Sequence, residues 1–332
     1  MKTKIVYVLI SSDDDIYLEQ AYISMFSAKY YMPDCHIVLV TDKLTSETFN
    51  GIRKNEVKYV DEFVVVDLDS KKFNAQQRSR QLKTSVRNHI DGDFIFIDCD
   101  TIITKPLYDI DYIGTDIAAC RDTHSDFINN PYRNMCIEHG HLLGWSIDQE
   151  SEYFNSGVIY VKDTNLTHEF YKRWNENLNK GYSKKVYMDQ PSFAKTNYEM
   201  GHVVKQLPDV WNCELKHGIK YLKDAYIVHY LCTNPSHFQD KQLFILNEKN
   251  VLLEVKKTGE INESIQNTIK DPFYGIAELT HCFAGEDVYY FHSLRYSFFR
   301  NNWHVGKKNI IDFFLRCLNY FQIKLKSIFF AK

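Results

Sequence analysis

The first apolar block, Ile5-Val6-Tyr7-Val8-Leu9-Ile10, has no polar interruption, as in a strand covered on both faces. The polar run Ser11-Ser12-Asp13-Asp14-Asp15 follows and offers good helix caps. From Tyr17 to Tyr30 the residues Leu18, Ala21, Tyr22, Met25 and Phe26 recur at helical spacing. His36 to Val40 predicts a second strand, Thr45 to Arg53 a helix, and Phe63 to Val66 a third strand. Ala75 to His89 predicts a helix, and Phe94-Ile95-Phe96-Ile97 a buried strand. Strand and helix alternate in this way up to about the middle of the chain, which argues for a mainly parallel sheet flanked by helices.

The second half is less regular. Ile117 to Cys120 is a short apolar strand, but Asp122 to Glu152 shows little periodicity and predicts a long binding loop. Tyr153 to Val161 is a polar turn feeding a strand, and Thr167 to Leu178 a helix with Phe170 and Trp174 inward. Pro191 can start a helix running from Ser192 to Asn197. Gln206 to Asn212 reads as strand and turn, and Ala225 to Tyr230 as a strand with His229 near its end. Residues 241–304 give no clear assignment. From Val305 to Lys332, Ile311, Phe314, Leu318, Phe321, Leu325 and Phe329 form a helical stripe opposed by Lys307, Lys308, Arg316, Lys324, Lys326 and Lys332. That is the pattern of an interfacial helix drawn to an anionic membrane surface, the alternative being a helix that packs on the catalytic domain or on a second subunit.

Composition narrows the class. The chain has 332 residues, 44% hydrophobic and 25% charged, which is ordinary for a globular protein. A net charge of −3 argues against nucleic acid as a partner. The eight cysteines form no Cys-x-x-Cys pair, so reduced thiols in a cytoplasmic protein are expected. The N-terminal apolar run is too short for a signal-peptide core.

Chemistry concentrates after the fourth strand. Asp98 and Asp100 stand one residue apart where that strand ends. If the strand geometry continues, both carboxylates point the same way, and their repulsion calls for a divalent cation. Oxygen ligands favour Mg²⁺ or Mn²⁺, which keep positions open for phosphate oxygens. Just upstream, Arg80, Lys83 and Arg87 share a helix face that can neutralise a diphosphate. His229 could add a nitrogen ligand, and His139 and His141 are either ligands, acceptor-loop residues or surface.

Taken together these blocks resemble a GT-A glycosyltransferase, most closely the retaining enzymes of family 8. The resemblance rests on the acidic N-terminal turn, Ser79-Arg80, Asp98-Cys99-Asp100, Phe154-Asn155-Ser156-Gly157-Val158, Asp189-Gln190 and the late His229, in the family's order over residues 4 to 235. It implies a GT-A mixed sheet flanked by helices over residues 1–240, followed by a C-terminal extension. It implies that Asp98, Asp100 and His229 hold Mn²⁺ or Mg²⁺, with Cys99 on the donor side. Asp13 and Tyr17 would lie near base and ribose, Arg80 at the diphosphate or sugar, and Asn155, Asp189 and Gln190 around the transferred sugar. The implied reaction moves a hexose or related sugar from a nucleotide-sugar donor, UDP being the usual nucleotide, to a glycan or lipid-linked acceptor. Two departures stand out. The family continues from its histidine to Gly and Lys-Pro-Trp, whereas this chain reads Tyr230-Leu231-Cys232-Thr233-Asn234-Pro235, with no lysine for the donor phosphates. Extra acids also leave the register of the N-terminal turn open. A phosphatase with an Asp nucleophile fits less well, because Ile102 stands where Thr or Val is wanted. A nucleotidyltransferase would want a Gly-rich phosphate loop. A non-catalytic nucleotide-sugar-binding or scaffold protein is the remaining alternative.

Overall fold

The computed structural model describes residues 1–147, 150–231, 244–276 and Leu318. Its strands are β1 (Lys4–Leu9), β2 (Ile37–Asp42), β3 (Glu62–Val66), β4 (Phe94–Ile97), β5 (Thr101–Ile103), β6 (Ile117–Arg121), β7 (Phe154–Val161), β8 (Lys205–Gln206), β9 (Cys213–Glu214) and β10 (Ile227–His229). Its helices are α1 (Tyr17–Tyr31), α2 (Lys43–Ser46), α3 (Gly51–Glu56), α4 (Ala75–Ser85), α5 (Arg133–Leu143), α6 (Asn165–Ser183), α7 (Asp189–Glu199), α8 (Lys249–Thr258) and α9 (Glu263–Lys270).

Seven strands form one sheet in the order β3-β2-β1-β4-β7-β6-β8. The β3-β2-β1-β4 portion is parallel, while β7 runs antiparallel to both β4 and β6, so the sheet is mixed. The uninterrupted apolar run of β1 is explained by burial on both faces. Ile5, Tyr7 and Leu9 pack with Leu18, Ala21 and Met25 of α1. Val6 and Val8 pack on the other face with Leu82 and Val86 from the α4 side and Phe170 and Trp174 of α6. From β1 the chain pairs outward through β2 and β3, then returns to place β4 on the opposite flank. The sheet's switch point therefore lies between the carboxyl ends of β1 and β4, the usual position for a ligand in such sheets.

A second sheet of three strands, β5-β10-β9, continues beyond β4. There β10 pairs antiparallel with β5, placing His229 opposite Thr101. Behind it, α8 and α9 contribute Leu252, Val255, Ile265 and Ile269 to a cluster with Ile16, Tyr22 and Ile23 around α1. Residues 244–276 thus share a core with the N-terminal fold. The expected helix at 305–332 lies, Leu318 apart, outside the described residues.

Two expectations change in detail. The helix anticipated over Thr45 to Arg53 is broken into α2 and α3, with Asp42 capping the first through Thr45 N–H and Gly51 turning the chain at φ +52°. The segment expected to be irregular contains α5, which buries Cys136, Gly140 and Leu143 and stops at Gly144 in the left-handed region. Its inward stripe includes a glycine and a cysteine, which is why apolar periodicity did not reveal it.

Candidate active site

The floor of the site begins where β4 ends. The chain bends between β4 and β5, so Asp98 and Asp100 do not share one strand face, yet both reach the imidazole of His229. One ligand atom from each of the three lies within 4.8 Å of the others. Among the described residues this is the His, Cys, Asp and Glu group that converges tightly enough to hold a metal ion.

The orientation of the imidazole follows from a chain of hydrogen bonds that starts at an unambiguous donor. Gly157 N–H donates to Asn155 Oδ1 at 2.7 Å. That oxygen also accepts from Asn212 Nδ2 at 3.0 Å, while Asn155 Nδ2 turns to Asp122 Oδ1 at 3.4 Å. Asn212 Oδ1 therefore faces His229 Nδ1, 3.0 Å away, and takes its proton. The lone pair on Nε2 is left pointing at Asp100 Oδ1, 3.2 Å away. Two acceptors at that distance repel unless a cation joins them. Nitrogen and two carboxylate oxygens suit Mn²⁺ or Mg²⁺, and a second group fixing the histidine tautomer is the usual support of such a ligand. The residues present therefore fit the expected metal.

Cations line the neighbouring wall. Lys83 reaches from α4 to Asp98 at 3.2 Å and Asp189 at 3.1 Å. Arg80, one turn earlier, lies 3.6 Å from Asp189. Asp189 opens α7 and also accepts from Ser156 Oγ at 2.8 Å. Burial raises the carboxyl of Asp189, but Lys83 and Arg80 outweigh it and bring it down to about 2. Burial, together with the charge of Asp100, pushes Asp98 up to about 6 against the pull of Lys83. Burial opposes the charge of Lys83, yet Asp189 and Asp98 prevail and raise its pKa. Lys83 and Arg80 thus hold Asp189 ionised, whereas Asp98, sharing Lys83 and facing Asp100, is the less stabilised carboxylate.

Above these groups opens a cleft of about 450 Å³. Its walls include Val8, Ser11, Asp15, Tyr17 and Gln20 on one side, Ala75, Ser79, Arg80 and Lys83 on another, and Asp98, Cys99, Asp100 and Asp189 at the base. Asp15 shapes the loop after β1, accepting from Ser11 Oγ, Ser12 N–H and Tyr17 N–H.

The structure brings together most of the residues singled out in the sequence. Asp98, Asp100 and His229 converge, and Tyr17, Arg80, Cys99 and Asp189 share the cleft. Asn155 lies behind the Asp98–Asp100–His229 cluster and reaches His229 through Asn212. Gln190 follows Asp189 on α7 and is not part of the cleft wall. Asp13 also lies outside that wall, with a side chain 78% exposed and 3.5 Å from Arg53. Asp15 stands in the wall. Of the basic face, Arg87 turns away to the carbonyl of Gly92 and to Asp163, since the helix tightens to a 3₁₀ turn at Val86. His139 and His141 sit on α5 and are not members of the metal-binding group. Sequence reading gave no individual weight to Lys83, Asn212 or Gly157. The i, i+3 relation of Lys83 to Arg80 was the one available signal.

A mixed sheet with an Asp-x-Asp at its switch point and a histidine completing the cluster defines the class: this is a GT-A fold glycosyltransferase resembling family 8. The chain belongs to the nucleotide-diphospho-sugar transferase family, whose model matches residues 36–246. Among solved structures it is similar to the galactosyltransferase LgtC, in complex with donor and acceptor sugar analogs, at 14% identity and a TM-score of 0.51, covering 80% of this chain and 99% of that one. It is also similar to the glycosyltransferase GlyE of Streptococcus pneumoniae TIGR4, at 16% identity and a TM-score of 0.51, covering 83% of this chain and 66% of that one. Mouse xyloside xylosyltransferase 1 matches at 15% identity with a TM-score of 0.48, covering 71% and 99%. No curated protein matches the sequence.

Proposed function

We propose that this glycosyltransferase is metal-dependent and moves a hexose or related sugar from a UDP-sugar to a hydroxyl of a glycan or lipid-linked acceptor, with retention at the anomeric carbon. The observation that carries this reading is the convergence of Asp98, Asp100 and His229 Nε2, with Nδ1 held by Asn212 and a cationic wall across the cleft. Asp98, Asp100 and His229 would hold Mn²⁺ or Mg²⁺. Once bound, the ion would act as an electrophile on the donor diphosphate.

The chain's own groups supply the rest. Asp98, Asp100 and Asp189 carry three negative charges against the two positive charges of Lys83 and Arg80. That leaves the site at −1, and a divalent ion would turn it to +1, which suits it to receive an anionic diphosphate. Lys83 sits in the wall and can meet phosphate oxygens from α4, the role that the late lysine plays in the family pattern. Asp15 and Tyr17 lie toward the nucleoside, with Asp13 one turn outside. Asn155 holds the ligand shell, and Asp189 orients a sugar hydroxyl.

Asp189 is engaged by two cations and Ser156, so it is a poor free nucleophile. Transfer on the front face, with the departing phosphate taking the acceptor's proton, therefore suits the residues better than a covalent intermediate. Gln190, next on α7, would steady the sugar from the other side. The expected basic helix at 305–332 would hold the enzyme at an anionic membrane surface, on the cytoplasmic side.

The test is donor hydrolysis with added Mn²⁺, alongside thermal shift. A UDP-sugar with Mn²⁺ should raise the melting temperature more than either alone. Asp100→Ala should abolish that difference and lower hydrolysis by roughly 100-fold or more. Hydrolysis unchanged in Asp100→Ala would end the metal-dependent reading.

A further inference from the structure

One patch at the mouth of the cleft plays no part in the donor chemistry. Phe73 lies two residues before Ala75 and Tyr187 two residues before Asp189, and both of those neighbours are in the cleft wall. Tyr182, at the end of α6, bridges them. Its ring centroid is 6.4 Å from that of Phe73 and 6.2 Å from that of Tyr187. The Tyr182 hydroxyl donates to Gln77 O at 3.4 Å, which ties the row to α4. Tyr187 is 45% exposed, so the row ends as an open aromatic face beside Asp189.

The patch is held in place. Gly181 leaves room for the carbonyl of Val186, which would lie 2.9 Å from an added Cβ. Val186 N–H returns to Gly181 O at 3.0 Å and its side chain is buried. Lys185 takes a left-handed backbone, φ +62°, to close this turn.

Its charge is one-sided. Lys184 and Lys185 are exposed between the two tyrosines, and Lys72 lies 5.0 Å over the ring of Phe73. Of the acids nearest in the chain, Asp189 is paired with Lys83 and Arg80, and Asp69 is occupied by the backbone N–H groups of Lys71 and Lys72. Aromatic faces suit the C–H faces of pyranose rings. Lysines act as mobile point charges suited to phosphate, whereas the planar carboxylate is better matched by the arginine fork.

We propose that this shelf is an acceptor subsite for a phosphate-bearing glycan. Tyr182 and Tyr187 stack on sugar rings, and Lys72, Lys184 and Lys185 meet the phosphate. The inference rests on the glycosyltransferase reading for its role but concerns binding alone, so it is measured without donor or metal.

The experiment is calorimetric titration of the full chain in EDTA with maltotetraose and with maltotetraose 1-phosphate. The phosphorylated sugar should bind about tenfold more tightly, and the gap should close at high salt. The double variant Lys184→Ser, Lys185→Ser should remove the preference and leave neutral-sugar binding intact. Tyr187→Ser should weaken both sugars. All these positions are exposed, so folding survives, and the unliganded melting temperature verifies it. Equal affinities, indifference to these variants, or anionic vesicles that bind this face without competition from the sugars would overturn the proposal. A UDP-sugar/Mn²⁺ thermal shift on the same proteins separates the two readings. A retained shift without glycan binding defeats the shelf alone, and glycan binding without a shift defeats the donor reading alone.

Discussion

A methyl group added to Gly157 would sit 2.4 Å from His229 Cε1 and 2.9 Å from both Asn155 Oδ1 and Asp98 Oδ2. None of those neighbours is the loose end of a long side chain. Gly157→Ala should therefore displace the imidazole and Asp98 together, costing about 1–3 kcal/mol of stability and about tenfold or more in Mn²⁺ affinity. Calorimetric titration with Mn²⁺ measures the second effect. An alanine variant with unaltered metal affinity would show that the ligand shell can move aside freely. The residue scale is also where sequence reading was most uneven. Asp98, Asp100 and His229 could be named because acids after an apolar strand and a late histidine belong to a known order. Asn212 could not, because its role is to fix a tautomer across a contact between β9 and β10. Three successive acids carry no internal marker of register, so the sequence could not say that Asp15 rather than Asp13 lines the cleft.

At the scale of elements, α1, α3 and α8 meet behind the loop that follows β1. Glu19 of α1 and Glu56 of α3 are fully buried, and neither has a hydrogen-bond partner for its carboxylate oxygens. Lys256 of α8 approaches Glu19 at 3.7 Å and donates to the carbonyl of Asp15. Arg53 of α3 donates to Ser12 O and Ser11 Oγ. Burial, and then the charge of Glu19, pushes Glu56 up to about 7. The folded state thus keeps a proton that the unfolded chain releases near pH 4, so this pair costs stability as pH rises from there through 7. Glu56→Gln should leave the melting temperature nearly unchanged at pH 5 and raise it by about 2 °C or more at pH 8. Melting curves at the two pH values decide it, and a variant less stable at pH 8 would show that the carboxylate is needed there. Element types were legible wherever apolar residues recurred at a regular spacing, as in α1 and α6. The join of α8 and α9 to α1 was not, because their inward stripes are brief and lie more than 200 positions along the chain.

For the whole molecule, one sheet and one small sheet bring the loop after β1, the cationic wall and the Asp98–Asp100–His229 cluster to a single edge. Among the described residues no helix is long and apolar enough to cross a membrane. If the basic stripe at 305–332 is the link to a membrane, deleting those residues should abolish binding to anionic vesicles in a flotation assay while leaving donor hydrolysis intact. Vesicle binding that survives the deletion would place the contact elsewhere, with the lysine-rich shelf the next surface to test. The fold class was readable from strand–helix alternation together with the motif order. The direction of β7 was not, since an apolar strand reads alike whether its neighbours run with it or against it.

The pairing of β10 with β5 joins residues 129 positions apart in Asp100 and His229. A nascent chain still short of that strand has both acids in place and no imidazole beside them. Competence for the proposed divalent ion would therefore arrive late in synthesis and all at once, when the last segment of the small sheet docks.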